Sequence, residues 1–118
     1  MRITFLPSAN TQIALIVSND TIINTTQDAV ELLMNCQYQG ADSIILHEYN
    51  LPVEFFDLST QLAGDILQKF STYDSRLAIV GDFSKYESKS LKDFIYESNK
   101  GRRINFVHSV EEAISALM

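Results

Sequence analysis

The stretch Leu77-Ala78-Ile79-Val80-Gly81-Asp82 is an unbroken apolar run that ends at a glycine and an aspartate. A second run of the same kind, Ser43-Ile44-Ile45-Leu46, lies earlier in the chain. A strand with one wet face alternates apolar and polar side chains, whereas a strand covered on both faces is apolar throughout. The two runs therefore predict central strands of a parallel sheet with helices on both faces.

Segments with helical spacing of apolar residues separate these runs from each other and from a last run, Ile104–Val107. Each helical segment follows side chains that can cap a helix, namely Thr25 with Asp28, Asp57 or Ser59, Ser88 or Ser90, and Ser109 with Glu112. Strands that are joined through single helices pair in parallel through right-handed crossovers. We therefore expect three strand-to-strand connections of this kind.

The N-terminal part of the chain predicts a β-hairpin. Apolar stretches at residues 2–6 and 12–17 flank the turn-forming segment Pro7–Asn10. The predicted element order is ββαβαβαβα. The sequence thus predicts one α/β domain over residues 1–118, with a mostly parallel sheet of about five strands, an N-terminal hairpin and four helices.

Composition limits the function. The chain has 118 residues, fifteen acidic against nine basic, and a net charge of −6, which disfavours nucleic acid as a partner. No apolar run approaches the roughly 20 residues that span a bilayer, so we expect a cytoplasmic protein without a membrane partner. Cys36 is the single cysteine and no common cofactor-binding motif occurs, so neither a disulfide nor a cofactor is predicted.

Polar side chains follow the predicted strands at the edge where parallel α/β sheets bind ligands. These candidate crevice residues are His47, Glu48, Asp82, Ser84 and Lys85. Such a set could perform acid/base catalysis or bind a small molecule, and it could equally be ordinary solvated strand ends. Both histidines lie at this edge, but their spacing along the chain is not a ligand signature, so no metal site is predicted.

A second candidate site is basic. The segment from Ser84 to Arg103 carries a charge of +3, with six bases and three acids, whereas the rest of the chain carries −9. Lys85, Lys89 and Lys92 follow helical spacing and form a candidate patch for phosphate or an acidic partner. The alternative is a solvated helix face on which Lys89 pairs with Asp93.

Several segments, among them Asn24–Ala29, Gln39–Asp42, Ala63–Phe70 and especially Gly81–Leu91, closely resemble the bacterial family numbered 4180 among the domains of unknown function. The likeness covers almost the whole chain. It implies a bacterial, cytoplasmic protein, and it implies no activity because none is assigned to that family.

The element order also resembles the STAS domain, which occurs in sulphate transporters and anti-sigma-factor antagonists. In that family a partner kinase phosphorylates a serine at the start of the second helix. The segment Phe56–Leu62 falls at the corresponding place, so the resemblance implies that Ser59, with Asp57 beside it, is a candidate phosphorylation switch. The alternative is that Ser59 simply caps the helix.

Two functional hypotheses follow. The first is a regulatory, non-enzymatic interaction module that uses the Leu51–Thr60 loop, the start of the second helix and the Phe83–Ser90 loop to dock a regulatory protein. The second is a small-molecule-binding or enzymatic domain that uses His47, Glu48, Asp82 and Lys85. A homodimer through the edge strand or a helix face remains open under both.

Overall fold

A computed structural model describes all residues, Met1–Met118. The strands are β1 Arg2–Ser8, β2 Thr11–Val17, β3 Ala41–His47, β4 Arg76–Val80 and β5 Ile104–Val107. The helices are α1 Thr26–Tyr38, α2 Leu62–Thr72, α3 Lys89–Lys100 and α4 Val110–Leu117. Three short 3₁₀ turns, Glu48–Asn50, Val53–Phe56 and Leu58–Thr60, lie between β3 and α2. The predicted α/β class and element order are confirmed.

The five strands form one sheet in the order β1-β2-β3-β4-β5. Strand β1 is antiparallel to β2, and all later neighbours are parallel. Leu46 lies beside Ile79, which in turn lies beside Phe106. The carboxyl ends of β3, β4 and β5 therefore share one edge of the sheet.

Helices cover both faces of the sheet, as the apolar strands predict. The larger core lies under α1, α2 and α3, with Leu33, Ile66 and Leu91 among its buried residues. The smaller core lies under α4 alone and includes Ile45 and Leu117. No helix combines the length and the apolar character needed to cross a bilayer.

An arginine anchors the end of α4. The guanidinium of Arg76 donates to the carbonyls of Ala116 at 2.7 Å, Leu117 at 3.2 Å and Arg102 at 2.7 Å. Carbonyls of the last helical turn have no partner within the helix, so a cation there satisfies them and complements the helix dipole. The first residue of β4 thus fixes α4 to the sheet.

Most predicted helix boundaries are confirmed. Thr25 and Asp28 form a capping box at α1, and Ser88 caps α3. Gly40 ends α1 with φ 96°, a conformation that favours glycine. Ser109 accepts from the Glu112 amide, but Glu112 accepts from the amide of His108 and not from that of Ser109.

The predicted turn of the hairpin is too long. Strand β1 continues through Pro7 and Ser8, so only Ala9 and Asn10 form the turn, with Ala9 at φ 45°. A two-residue hairpin turn requires positive φ, and β1 is the outer strand of the sheet. Proline is tolerated in an edge strand because its missing N–H is not needed for a ladder bond on the open side.

The predicted cap of the second helix is wrong. Neither Asp57 nor Ser59 begins α2; both belong to a separate 3₁₀ turn that precedes it. The Asp57 carboxylate is occupied within that turn, where it accepts from the backbone N–H of Ser59 at 3.1 Å. Gln61, at φ 67°, separates the turn from α2, which begins at Leu62.

Candidate functional site

The candidate site lies at the carboxyl edge of the sheet, where Glu48, Gly81 and His108 follow β3, β4 and β5. Hydrogen bonds extend the sheet by one residue here, because the Gly81 N–H donates to the Val107 carbonyl at 3.0 Å. The His108 ring nitrogen Nδ1 lies 3.3 Å from the Gly81 carbonyl oxygen. These contacts fix the backbone positions from which the loops after β4 and β5 begin.

Glu48 is the central side chain of this edge. Only 14% of its side chain is exposed, and its Oε2 lies 2.7 Å from the Lys85 ammonium. The Tyr86 hydroxyl donates to the same oxygen. Burial, and secondly this hydrogen bond and the negative charge of Glu48, raise the pKa of the Tyr86 phenol. The three side chains form one connected group, which we call the Glu48 triad.

A glycine makes room for Glu48. A Cβ atom on Gly81 would lie 2.7 Å from both Cβ and Oε1 of Glu48, which is closer than carbon atoms approach. The ring of Phe83 would also lie within 3.2 Å of it. Gly81 therefore allows the carboxylate to pack directly against the end of β4.

An asparagine fixes the loop that carries Glu48. The fully buried Asn50 accepts through Oδ1 from the His47 N–H at 2.9 Å and donates through Nδ2 to the carbonyls of Ser18 and Asp20. Its own carbonyl accepts from the N–H of Ile22 at 2.9 Å. These bonds join the β3 end to the loop after β2, so the position of Glu48 is set by the fold.

Aromatic rings form one side of the site. Phe56 stacks on Tyr86 with centroids 5.0 Å apart and an interplanar angle of 13°, and it meets the fully buried Phe55 edge-on at 5.0 Å. Beside them is a half-open cavity of about 300 Å³, the strand-end cavity. Its lining consists of the Glu48 triad with Tyr49, Leu51, Val53 and Phe56. Val53 is 80% exposed and Tyr49 50% exposed at its rim.

The predicted crevice residues do not converge on one point. His47 follows Ile45 by two positions and so shares the sheet face covered by α4, where its ring stacks on Tyr49 at 5.0 Å. Its Nδ1 is buried without a hydrogen-bond partner, and burial lowers the pKa of the imidazole. No group of three or more His, Cys, Asp or Glu side chains is arranged to hold a metal ion. Glu48 therefore acts with Lys85 and Tyr86, and not with the histidines.

Asp82 and Ser84 form a local turn at the same edge. The Asp82 Oδ1 accepts from the Ser84 N–H at 3.1 Å and from its hydroxyl at 2.6 Å. Asp57 and Ser59 make the same two bonds at the same distances. In both turns the hydrogen bonds from serine hold the pKa of the aspartate below its ordinary value. Both turns are exposed, and each serine hydroxyl is engaged by its own aspartate.

The bases of the basic segment lie at opposite ends of α3 and do not form one patch. Lys85, in the loop before α3, pairs with Glu48, and Lys89, the first residue of α3, pairs with Asp93 at 2.9 Å. Lys100 lies at the end of α3 and pairs with Glu97 at 3.5 Å. The predicted Lys89–Asp93 pair is confirmed, and of the candidate patch only Lys92 has no ion pair.

These features define a class of protein: a single α/β domain with a mostly parallel five-stranded sheet and an aromatic cavity at the carboxyl edge. A family model described as "Domain of unknown function (DUF4180)" matches residues 8–117. The chain therefore belongs to this family, which confirms the first resemblance. No curated protein and no solved structure matches the chain.

Sequence reasoning placed Tyr86 in the expected Phe83–Ser90 docking loop, but it missed three roles in the site. Tyr86 bonds Glu48, Gly81 makes room for it, and Asn50 fixes its loop. The glycine gave a usable signal, because a glycine directly after a buried strand often marks a close approach of another group to the backbone. The roles of Tyr86 and Asn50 depend on contacts between distant segments, which spacing along the chain does not encode.

Proposed function

We propose that this chain is a non-enzymatic interaction module of a bacterial regulatory system and that it docks a protein partner at the strand-end cavity. The observation that carries the proposal is the cavity itself, whose floor is apolar and whose rim exposes Val53 and Tyr49. An apolar pocket with an exposed aliphatic and an exposed aromatic side chain is typical of an anchoring point in a protein interface. The STAS-like element order supports a regulatory role by analogy.

The charge around the cavity favours a basic partner. The Leu51–Thr60 loop contains two acids, Glu54 and Asp57, and no base, and both acids are exposed. In the neighbouring loop Lys85 is already paired with Glu48. An acidic loop beside the cavity accelerates encounter with an electropositive surface and repels an acidic one.

Ser59 is the proposed switch of this surface. It is exposed, and its hydroxyl donates to the Asp57 carboxylate at 2.6 Å. Phosphorylation would replace that donor with a phosphate of about two negative charges beside a carboxylate. The repulsion would open the Asp57–Ser59 turn, and the docking loop would change its shape together with its charge.

The test compares two exposed apolar positions. The Val53→Lys variant, which removes the apolar side chain and adds a charge that repels a basic surface, should lose a basic partner captured from a bacterial lysate and then purified. Tyr38→Lys, at a 92% exposed site on α1, should retain it. Binding is measured by titration calorimetry with the purified partner. Full binding by Val53→Lys would overturn the proposal.

A second candidate function, binding of a small molecule, is favoured by one observation: the largely buried Glu48 carboxylate lies at the cavity. Two variants separate the two functions. Ser59→Asp should alter partner binding and leave small-molecule binding intact, whereas His47→Ala, which removes the ring stacked on Tyr49, should do the reverse. Native mass spectrometry of the protein from its host would show which kind of ligand is carried.

A further inference from the structure

The Glu48 triad includes a cation from the chain itself, the ammonium group of Lys85. The Lys85 ammonium lies 2.7 Å from the Glu48 carboxylate and 5.4 Å from the centroid of the Tyr86 ring. A carboxylate beside an aromatic ring is a favourable site for a cation, and here it opens into an apolar cavity. The Lys85 ammonium occupies this cation site, while most of the Lys85 side chain remains exposed to solvent.

Packing and hydrogen bonds hold in place the two side chains that bind the cation, Glu48 and Tyr86. Glu48 is packed against Gly81 and bonded by Tyr86, and Tyr86 is stacked on Phe56. Lys85 is different, because 57% of its side chain is exposed. An ammonium on a flexible, exposed stem makes a weak ion pair, so Lys85 is the replaceable member of the triad.

One carboxylate oxygen has no hydrogen-bond partner. Lys85 and Tyr86 both bind Oε2 of Glu48, and no hydrogen bond reaches Oε1. An ammonium is a point charge that satisfies one oxygen, whereas a guanidinium is a planar fork that can bind both oxygens of a carboxylate. A guanidinium also stacks on aromatic rings, and the rings of Tyr49 and Tyr86 line the cavity.

We infer that the strand-end cavity binds an arginine side chain of the basic partner, and that its guanidinium displaces Lys85 from Glu48. The arginine stem contacts Leu51 and Phe56, and the guanidinium reaches Oε1 and Oε2 while Tyr86 keeps its bond. This inference rests on the proposed docking function and names the group that is recognised. Lys85 then serves as an internal competitor that lowers the affinity for weakly basic partners.

The experiment uses Nα-acetyl-arginine amide as the probe and its neutral citrulline analogue as the chemical control. Binding is followed by the backbone NMR shifts of Gly81 and Tyr86 during titration. The Lys85→Met variant removes the competitor, so it should bind the arginine probe roughly two- to fivefold more tightly than the wild type. Glu48→Gln should lose binding, and citrulline should bind none of the proteins.

The matched control is Lys100→Met. Lys100 is 56% exposed, pairs with Glu97 and lies 4.4 Å from the Tyr96 ring centroid, so this variant removes the same charge from a similar surface setting far from the cavity. It should bind the probe as the wild type does. Equal affinities of Lys85→Met, Lys100→Met and wild type for the arginine probe would overturn the inference, as would equal binding of citrulline.

Different experimental results would overturn the docking function and the arginine inference. If Val53→Lys abolishes partner binding while the arginine probe gives no Lys85-dependent affinity, the docking function stands and the arginine inference falls. If the probe behaves as expected while Val53→Lys still binds the partner, the docking function falls. Should Glu48→Gln unfold, the comparison of Lys85→Met with Lys100→Met decides alone.

Discussion

The chain contains the same three side-chain types in two different settings. Lys85, Glu48 and Tyr86 meet at the carboxyl edge of the sheet, and Lys100, Glu97 and Tyr96 meet on the outer surface of α3. The lysines are equally exposed, at 57% and 56%, but the carboxylates differ, with 14% of Glu48 and 69% of Glu97 exposed. Burial of the carboxylate, and not the identity of the residues, therefore separates a built site from a solvated surface pair.

The largest effect should come from filling the space beside Glu48 that the Glu48 triad needs. Gly81→Ala places a Cβ 2.7 Å from Glu48, so we expect the free energy of unfolding to fall by about 1–3 kcal/mol. Urea denaturation measures this change. The control is Gly64→Ala in α2, where a Cβ meets nothing within 4 Å and should stabilise the helix by about 0.5–1 kcal/mol. Equal effects of the two substitutions would show that Glu48 is free to move away.

Neutralising the carboxylate should distinguish the two settings more directly. Glu48→Gln weakens two charge-assisted contacts of a largely buried group and should cost about 1–2 kcal/mol of unfolding free energy. Glu97→Gln removes an exposed pair 3.5 Å long and should cost less than about 0.5 kcal/mol. Thermal and urea unfolding of both variants test the difference, and a cost at Glu97 as large as at Glu48 would contradict it.

The contribution of Tyr86 to the free energy of unfolding should be lost at alkaline pH. Because the folded state raises the pKa of Tyr86 above its unfolded value of about 10, its contribution to stability is complete below that pH and is lost as the pH rises above it. The Tyr86→Phe variant lacks this contribution, so its unfolding free energy should fall less steeply above pH 10 than that of the wild type. Tyr96→Phe keeps the Tyr86–Glu48 bond and should retain the wild-type profile. Identical alkaline slopes of the two variants would refute the assignment.

The smallest effect should come from the lysines. Lys85→Met and Lys100→Met each remove an ion pair whose cation is more than half exposed, so each should change the unfolding free energy by no more than about 1 kcal/mol. Similar stabilities, measured by thermal unfolding, would leave ligand affinity as the property in which the two lysines differ. A much larger loss for Lys85→Met would instead give that lysine a structural role.

The sequence predicted the fold well because the fold depends on local patterns. The apolar runs around Ile45 and Ile79, the capping residues Thr25 and Ser88, and the left-handed Gly40 all act within a few neighbouring residues. The two errors have the same origin. Pro7 and Asp57 were interpreted from their general preferences, but the edge position of β1 and the extra 3₁₀ turn before α2 decided where the elements begin and end.

The site could be predicted only in part. Placement at the carboxyl edge followed from the parallel topology, and Glu48 and Lys85 were both among the expected crevice residues. Their pairing was not predicted, because it joins segments 37 positions apart in the chain. The sequence groups His47 with Glu48, but His47 is the last residue of β3, on the sheet face that α4 covers, whereas Glu48 begins the 3₁₀ turn that follows. The local Lys89–Asp93 pair could be predicted from its spacing and yet lies on an exposed helix surface.

One face of the sheet is covered by three helices and the other by α4 alone, so we expect the α4 face to open locally more often. Three helices would have to leave one face, but only α4, anchored by Arg76, would have to leave the other. Detachment would expose Ile45, Ala78 and Val80 as a bare strip of sheet, and amide hydrogen exchange in α4 would measure how often this occurs. Two opened chains would expose these apolar strips to each other, so we expect removal of the Arg76 side chain, at the end of the sheet opposite the cavity, to promote aggregation.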